Sequence, residues 1–147
     1  LVEDEVLIRF HIADYLRDCG FTVIEAANSA EAITVLESKE HVDLVVTDID
    51  MPGPTPMNGV QLGRWMREHR PDVGLIINSG SLKLAEEAAE LCGGSPLLSK
   101  PYPEAELLAR IRQILDKGST APKMAIGAIV AKTAVPLPAP LHAPETE

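Results

Sequence analysis

The chain has 147 residues, 46% of them hydrophobic and 24% charged, which fits one globular domain with some residues left over. A formal charge of −9 with 3% aromatic residues excludes a non-specific grip on nucleic acid. No apolar stretch reaches the about 20 residues that cross a bilayer, so no membrane partner is expected.

Cys19 and Cys92 stand without a CxxC motif or a Cys/His cluster, so both read as reduced thiols in a cytoplasmic protein. His11, His41, His69 and His142 are scattered and read as surface or packing residues. No secretory signal opens the chain. It starts without Met and only two residues before an acidic pair, so a few residues are expected to precede Leu1.

Ile8, Ile12, Tyr15, Leu16 and Cys19 recur at helical spacing, and Gly20 stops that helix. Phe21 to Ala26 reads as a strand. Asn28 or Ser29 caps a helix containing Ala32, Ile33, Val35 and Leu36. Asp43 to Asp48 is an apolar run of the kind that forms a buried parallel strand. Asn58 caps the next helix, whose apolar residues are Val60, Leu62, Trp65 and Met66, and Pro71 ends it. Val73 to Ser79 reads as a strand and Ser81 to Leu91 as a helix. After the turn Cys92-Gly93-Gly94 come a short strand, Leu97 to Ser99, and a last helix, Glu104 to Leu115.

Strand and helix thus alternate five times. That pattern implies a parallel sheet with helices on both faces, an α/β doubly wound fold over residues 1–117. From Gly118 the composition changes. Pro122, Pro136, Pro138, Pro140 and Pro144 are interleaved with Ala, Thr and Lys, so 118–147 reads as a Pro/Ala-rich flexible tail or linker.

Charged groups collect at the strand ends. Glu3 and Asp4 close the first apolar segment, Asp48 the third, and Lys100 the last. Open α/β sheets bind ligands at the carboxyl ends of their strands. Carboxylates crowded there repel one another unless a cation sits among them. A hard divalent ion such as Mg²⁺, which prefers oxygen donors, is the simplest occupant.

Four segments carry a resemblance. Leu1-Val2-Glu3-Asp4-Glu5, Val46-Thr47-Asp48-Ile49-Asp50-Met51-Pro52, Ile77-Asn78-Ser79-Gly80 and Ser99-Lys100-Pro101-Tyr102 resemble, in order and spacing, the receiver domain of two-component response regulators. The resemblance covers about residues 1–117. It implies the flavodoxin-like fold with strand order 2-1-3-4-5. It implies that Asp48 accepts a phosphoryl group from a histidine kinase or a histidine phosphotransfer protein. Asp4 is then a direct Mg²⁺ ligand, Glu3 acts through metal-bound water, and the backbone carbonyl of Asp50 is a further ligand beside Asp48. Ser79 and Lys100 hold the phosphoryl oxygens, and the Lys100-Pro101 bond is cis.

The output implied is a changed protein-binding surface, formed by the helix over 81–91, the strand over 97–99 and the helix over 104–115. A downstream protein would read it, and a homodimer is one form that reading takes. Slow autodephosphorylation is the only turnover expected, so the chain is not read as an enzyme. Three departures stand out. The loop 53–59 is long and carries two prolines, Leu97 stands where many receivers have an aromatic residue, and Asp50 adds a charge two positions after Asp48.

Rival readings remain. One is a receiver cut from a larger regulator, another a degenerate receiver that binds partners without phosphorylation. A third is a DxD-type Mg²⁺-dependent phosphatase built on Asp48-Ile49-Asp50, against which stand Pro52 and the motif's place on the third strand.

Overall fold

A computed structural model describes residues 1–51, 57–80, 88, 97–117 and 130–131. Its elements are helix α1 (Val6–Asp18), strand β1 (Thr22–Val23), helix α2 (Ser29–Glu37), strand β2 (Leu44–Asp48), helix α3 (Gly59–His69), strand β3 (Gly74–Ser79), strand β4 (Leu98–Ser99), helix α4 (Glu104–Lys117) and strand β5 (Val130–Ala131). The expected helix over 81–91 lies outside the described residues except for Ala88, which is helical and buried.

The sheet is parallel at its centre. β2 pairs with β3 from Leu44↔Gly74 to Asp48↔Asn78, and β3 pairs with β4 through Asn78↔Leu98 and Ser79↔Ser99. Residues 1–3 fill the place beside β2. Val2 bridges Ala26 on one side and Thr47 on the other, and Val2 N–H donates to the Val46 carbonyl at 2.7 Å. With residues 1–3 counted as the first strand and β1 as the second, the strand order is the 2-1-3-4-5 that the resemblance implied.

The pleat sorts side chains by parity. Leu44, Val46 and Ile76 join Leu16, Leu107 and Ile111 in a core on the α1 and α4 side. Val45, Leu75 and Ile77 join Leu36, Leu62 and Met66 in a second core on the α2 and α3 side. Every residue of β2 and β3 is buried, because helices cover both faces.

Local chemistry sets the boundaries. Gly20, at φ 90°, takes the left-handed turn that ends α1. Asn28, rather than Ser29, caps α2 by accepting from the Glu31 N–H. Asn58 and Gln61 form a capping box at α3. Gly59 has a different reason to be glycine. A Cβ there would lie 2.2 Å from the backbone carbonyl oxygen of Asp48. The start of α3 is thus pressed directly onto the end of β2.

Val130 and Ala131, inside the segment read as a flexible tail, pair antiparallel with Val23 and Thr22. Two residues of that segment are tied to the sheet. The physical reason is general, since a strand with unpaired N–H and C=O groups is a template for further pairing.

Candidate functional site

The site sits where β2, β3, β4 and residues 1–3 end together. Asp48 is the last residue of β2 and is buried, 7% exposed. Its Oδ2 accepts from Lys100 Nζ at 2.6 Å, and Oδ1 lies 3.4 Å from the Asp50 backbone N–H. Lys100 Nζ also donates to Glu3 Oε2 at 3.2 Å. One ammonium therefore bridges two carboxylates carried by different strands.

Glu3 is the most enclosed acid of the group, 2% exposed. Its Oε1 accepts from the Glu5 backbone N–H at 3.2 Å, while Arg9 Nη1 holds its backbone carbonyl at 2.7 Å. Asp4 is half-buried beside it. One oxygen from each of Glu3, Asp4 and Asp48 lies within 4.8 Å of the others. Among the described residues, three carboxylates meet one ammonium in this small volume, which leaves the group short of positive charge.

The acid–base chemistry reflects that imbalance. Burial raises the pKa of Glu3, with the Asp48 charge adding to the rise, while Lys100 and the Glu5 N–H oppose it. For Lys100, burial disfavours the ammonium, but the hydrogen bonds and charges of Asp48 and Glu3 outweigh it and hold its pKa above 10.5. Lys100 is thus a fixed cation throughout the neutral range.

Ser79 ends β3, buried, one residue past the register partner of Asp48. Lys100 N–H donates to the Ser79 carbonyl at 2.9 Å, so the lysine's own backbone is pinned to the strand that carries the hydroxyl. The Lys100-Pro101 bond is cis, as the resemblance implied. Asp50 is exposed just past Asp48. Leu97 packs at the edge of the core on the α2 and α3 side. Residues 53–56 of the long loop lie outside the described residues.

Glu3, Asp4, Asp48 and Lys100 come together at this sheet edge, with Ser79 at the end of the neighbouring strand and Asp50 two residues past Asp48. Comparison with known proteins agrees with the geometry. The response regulator receiver domain family matches residues 1–112. The chain belongs to that family. It is 36% identical over 124 residues to the sensor kinase CckA of Brucella abortus, covering 80% of this chain and 12% of the relative. It is 31% identical over 118 residues to the aerobic respiration control protein ArcA of Escherichia coli K12, covering 80% of this chain and 48% of the relative.

Among solved structures, a response regulator receiver protein from Sinorhizobium medicae superposes with a TM-score of 0.71 at 32% identity, covering 80% of this chain and 93% of that one. A CheY-like receiver domain from Methanospirillum hungatei gives a TM-score of 0.70 at 27% identity, covering 80% of this chain and 91% of that one. The receiver spans about half the length of ArcA and an eighth of CckA.

Three residues of the site had no role in the sequence reading. Arg9 anchors the Glu3 backbone, and only a helix turning back over residue 3 brings it there. Asn78 donates from Nδ2 to the Tyr102 hydroxyl at 2.8 Å. Burial, with the charges of Glu3 and Asp48, pushes the Tyr102 phenol up to about 12 against the opposing pull of Lys100. The one sequence signal for this pair was a polar Asn78 at the end of an otherwise apolar strand.

Proposed function

We propose that this receiver stores a signal as an aspartyl phosphate on Asp48. The observation that carries the proposal is the buried Asp48 carboxylate, held at 2.6 Å by Lys100 and ringed by Glu3 and Asp4. An Asp48 oxygen attacks the phosphorus of a phosphohistidine on a histidine kinase or phosphotransfer protein. The O–P bond forms as the N–P bond breaks, and the departing imidazole takes its proton from solvent. Both reactants are anionic, so charge neutralisation dominates the barrier.

Lys100 meets part of that need through its Asp48 contact, and it pairs with the transferred phosphoryl oxygens afterwards. Ser79 supplies a hydroxyl at the adjacent strand end. The all-oxygen donor set fits a hard divalent cation such as Mg²⁺, held by Asp4, Asp48 and the Asp50 carbonyl, with Glu3 acting through water. When bound, Mg²⁺ supplies the remaining positive charge for the phosphoryl oxygens. α1 begins two residues after Asp4 and exposes Val6, Leu7 and Phe10. That apolar patch beside the site gives a protein donor a place to rest.

Phosphorylation adds about two negative charges at one strand end. The added charge competes for Lys100 and Ser79 and so biases the surface built from β4 and α4 toward a second arrangement. A downstream protein reads the change. Similarity to part of a sensor kinase supports one further arrangement, a receiver within a longer chain.

Intact mass after incubation with acetyl phosphate and Mg²⁺ tests the proposal. One phosphoryl addition is expected, lost on adding EDTA and lost in Asp48→Asn. Labelling that persists in Asp48→Asn refutes the assignment. Sustained turnover of a general phosphatase substrate would favour the DxD enzyme instead.

A further inference from the structure

Asn78 and Tyr102 make a polar contact inside an apolar core. Asn78 is 1% exposed, on the same sheet face as Ile76 and directly opposite Asp48 in register. Tyr102 packs with the core on the α1 and α4 side. Their hydrogen bond satisfies the Asn78 Nδ2, but Asn78 Oδ1 is buried without a partner among the described residues. Which end of the amide faces the phenol is an assignment, yet one end stays unpartnered either way. A leucine at residue 78 would fill the same space at no such cost, so the amide needs a reason.

The reason lies in what the contact brackets. Lys100 precedes Tyr102 by two residues. On one side of the lysine its own N–H bonds the Ser79 carbonyl at 2.9 Å, and on the other side the Tyr102 hydroxyl bonds Asn78 at 2.8 Å. Two consecutive residues of β3 therefore staple the segment 100–102 at both ends. The ammonium between those staples makes two directional contacts, at 2.6 Å to Asp48 and 3.2 Å to Glu3. A flexible four-carbon side chain keeps both only if its backbone is fixed.

We propose that Asn78 and Tyr102 form a latch that positions Lys100, so that both residues govern phosphoryl uptake without touching the phosphoryl group. The latch deepens the Asp48 assignment and rests on it for its effect on uptake. Its effect on the lysine does not depend on phosphorylation.

The experiment uses Tyr102→Phe, Asn78→Leu and the double variant of the full chain. The first readout is the ¹⁵N-ammonium NMR signal of Lys100 in unphosphorylated protein, assigned by its loss in Lys100→Arg. An ammonium held by two carboxylates gives a distinct signal, and both latch variants are expected to displace it toward that of a freely hydrated lysine. The second readout is the rate of acetyl phosphate labelling, expected to fall roughly tenfold in each single variant, given the sensitivity of such reactions to small displacements. The double variant is expected to be no slower than either single one, because the two residues act through one bond.

Thermal melting separates position from folding. Tyr102→Phe retains the ring, and Asn78→Leu removes an unpartnered amide, so neither is expected to melt much lower than wild type. A Lys100 signal unmoved in both variants overturns the latch, as does additive slowing in the double variant. Displacement of the signal, with wild type taking no label, sustains the latch and refutes the Asp48 proposal alone.

Discussion

Glu3 shows how one residue trades stability for a site. Its folded pKa lies above its ordinary value of 4.5, mainly because burial penalises the ionised form. Between the unfolded and folded values the native state holds the extra proton, so stability falls as pH rises through that window. At neutral pH the ionised Glu3 therefore costs stability in the metal-free protein. Lys100 acts in the opposite sense. Its raised pKa contributes stability at all pH below 10.5, lost only as pH rises further. Glu3→Gln is expected to melt higher than wild type at pH 7 without divalent metal and to lose the decline above pH 4.5. Melting curves from pH 4 to pH 8 check this. A lower melting point for Glu3→Gln at pH 7 would show that the Lys100 contact outweighs the burial. Stabilising substitutions that weaken a site are a common trade at strained functional centres.

At the scale of elements, the chain was most legible where periodicity and burial agree. The run ending in Asp48 is apolar because both faces of β2 are covered, and no other element explains such a run followed by an acid. α3 was legible from its cap, since Asn58 precedes the apolar residues Val60, Leu62, Trp65 and Met66 at helical spacing. Gly59 was less legible, because its reason is a contact with Asp48 eleven residues earlier in the chain. Only the fold brings that backbone within 2.2 Å of a would-be Cβ. Backbone cannot swing aside as a side chain can, so Gly59→Ala must push α3 off the end of β2. A loss of about 1–3 kcal/mol is expected, the usual cost of overpacking. Urea denaturation with an unchanged m-value would measure it. A loss within error would mean that the α3 start is free to shift.

The pairing of β5 with β1 and the contact between Asn78 and Tyr102 were illegible for a related reason. Each joins residues far apart in sequence, and neither residue pair carries a local pattern. Two residues of strand, or one polar residue in an apolar run, lie below what spacing alone can detect. The grouping of Glu3, Asp4 and Asp48 was legible because they close two neighbouring strand segments, so the fold rule for strand ends gathers them without any knowledge of contacts.

The molecule as a whole carries a formal charge of −9, and part of that excess is concentrated in the Glu3, Asp4 and Asp48 group. Any added salt relieves general repulsion, whereas a cation seated among three oxygens relieves it locally and saturably. The two effects separate by ionic strength. Mg²⁺ binding only the native state adds stability in proportion to the logarithm of its concentration, about 2.7 kcal/mol at one hundred times the Kd. NaCl at the same ionic strength screens exposed charges over about 8 Å under physiological conditions but has no such site. Mg²⁺ is therefore expected to raise the Tm well beyond matched NaCl, with an increment that shrinks in Asp48→Asn and in Glu3→Gln. Melting titrations with both salts decide it. Equal increments from the two would reduce the acidic group to a diffuse source of repulsion. The excess charge of the phosphoryl group would then rest on Lys100, Ser79 and the surrounding backbone alone.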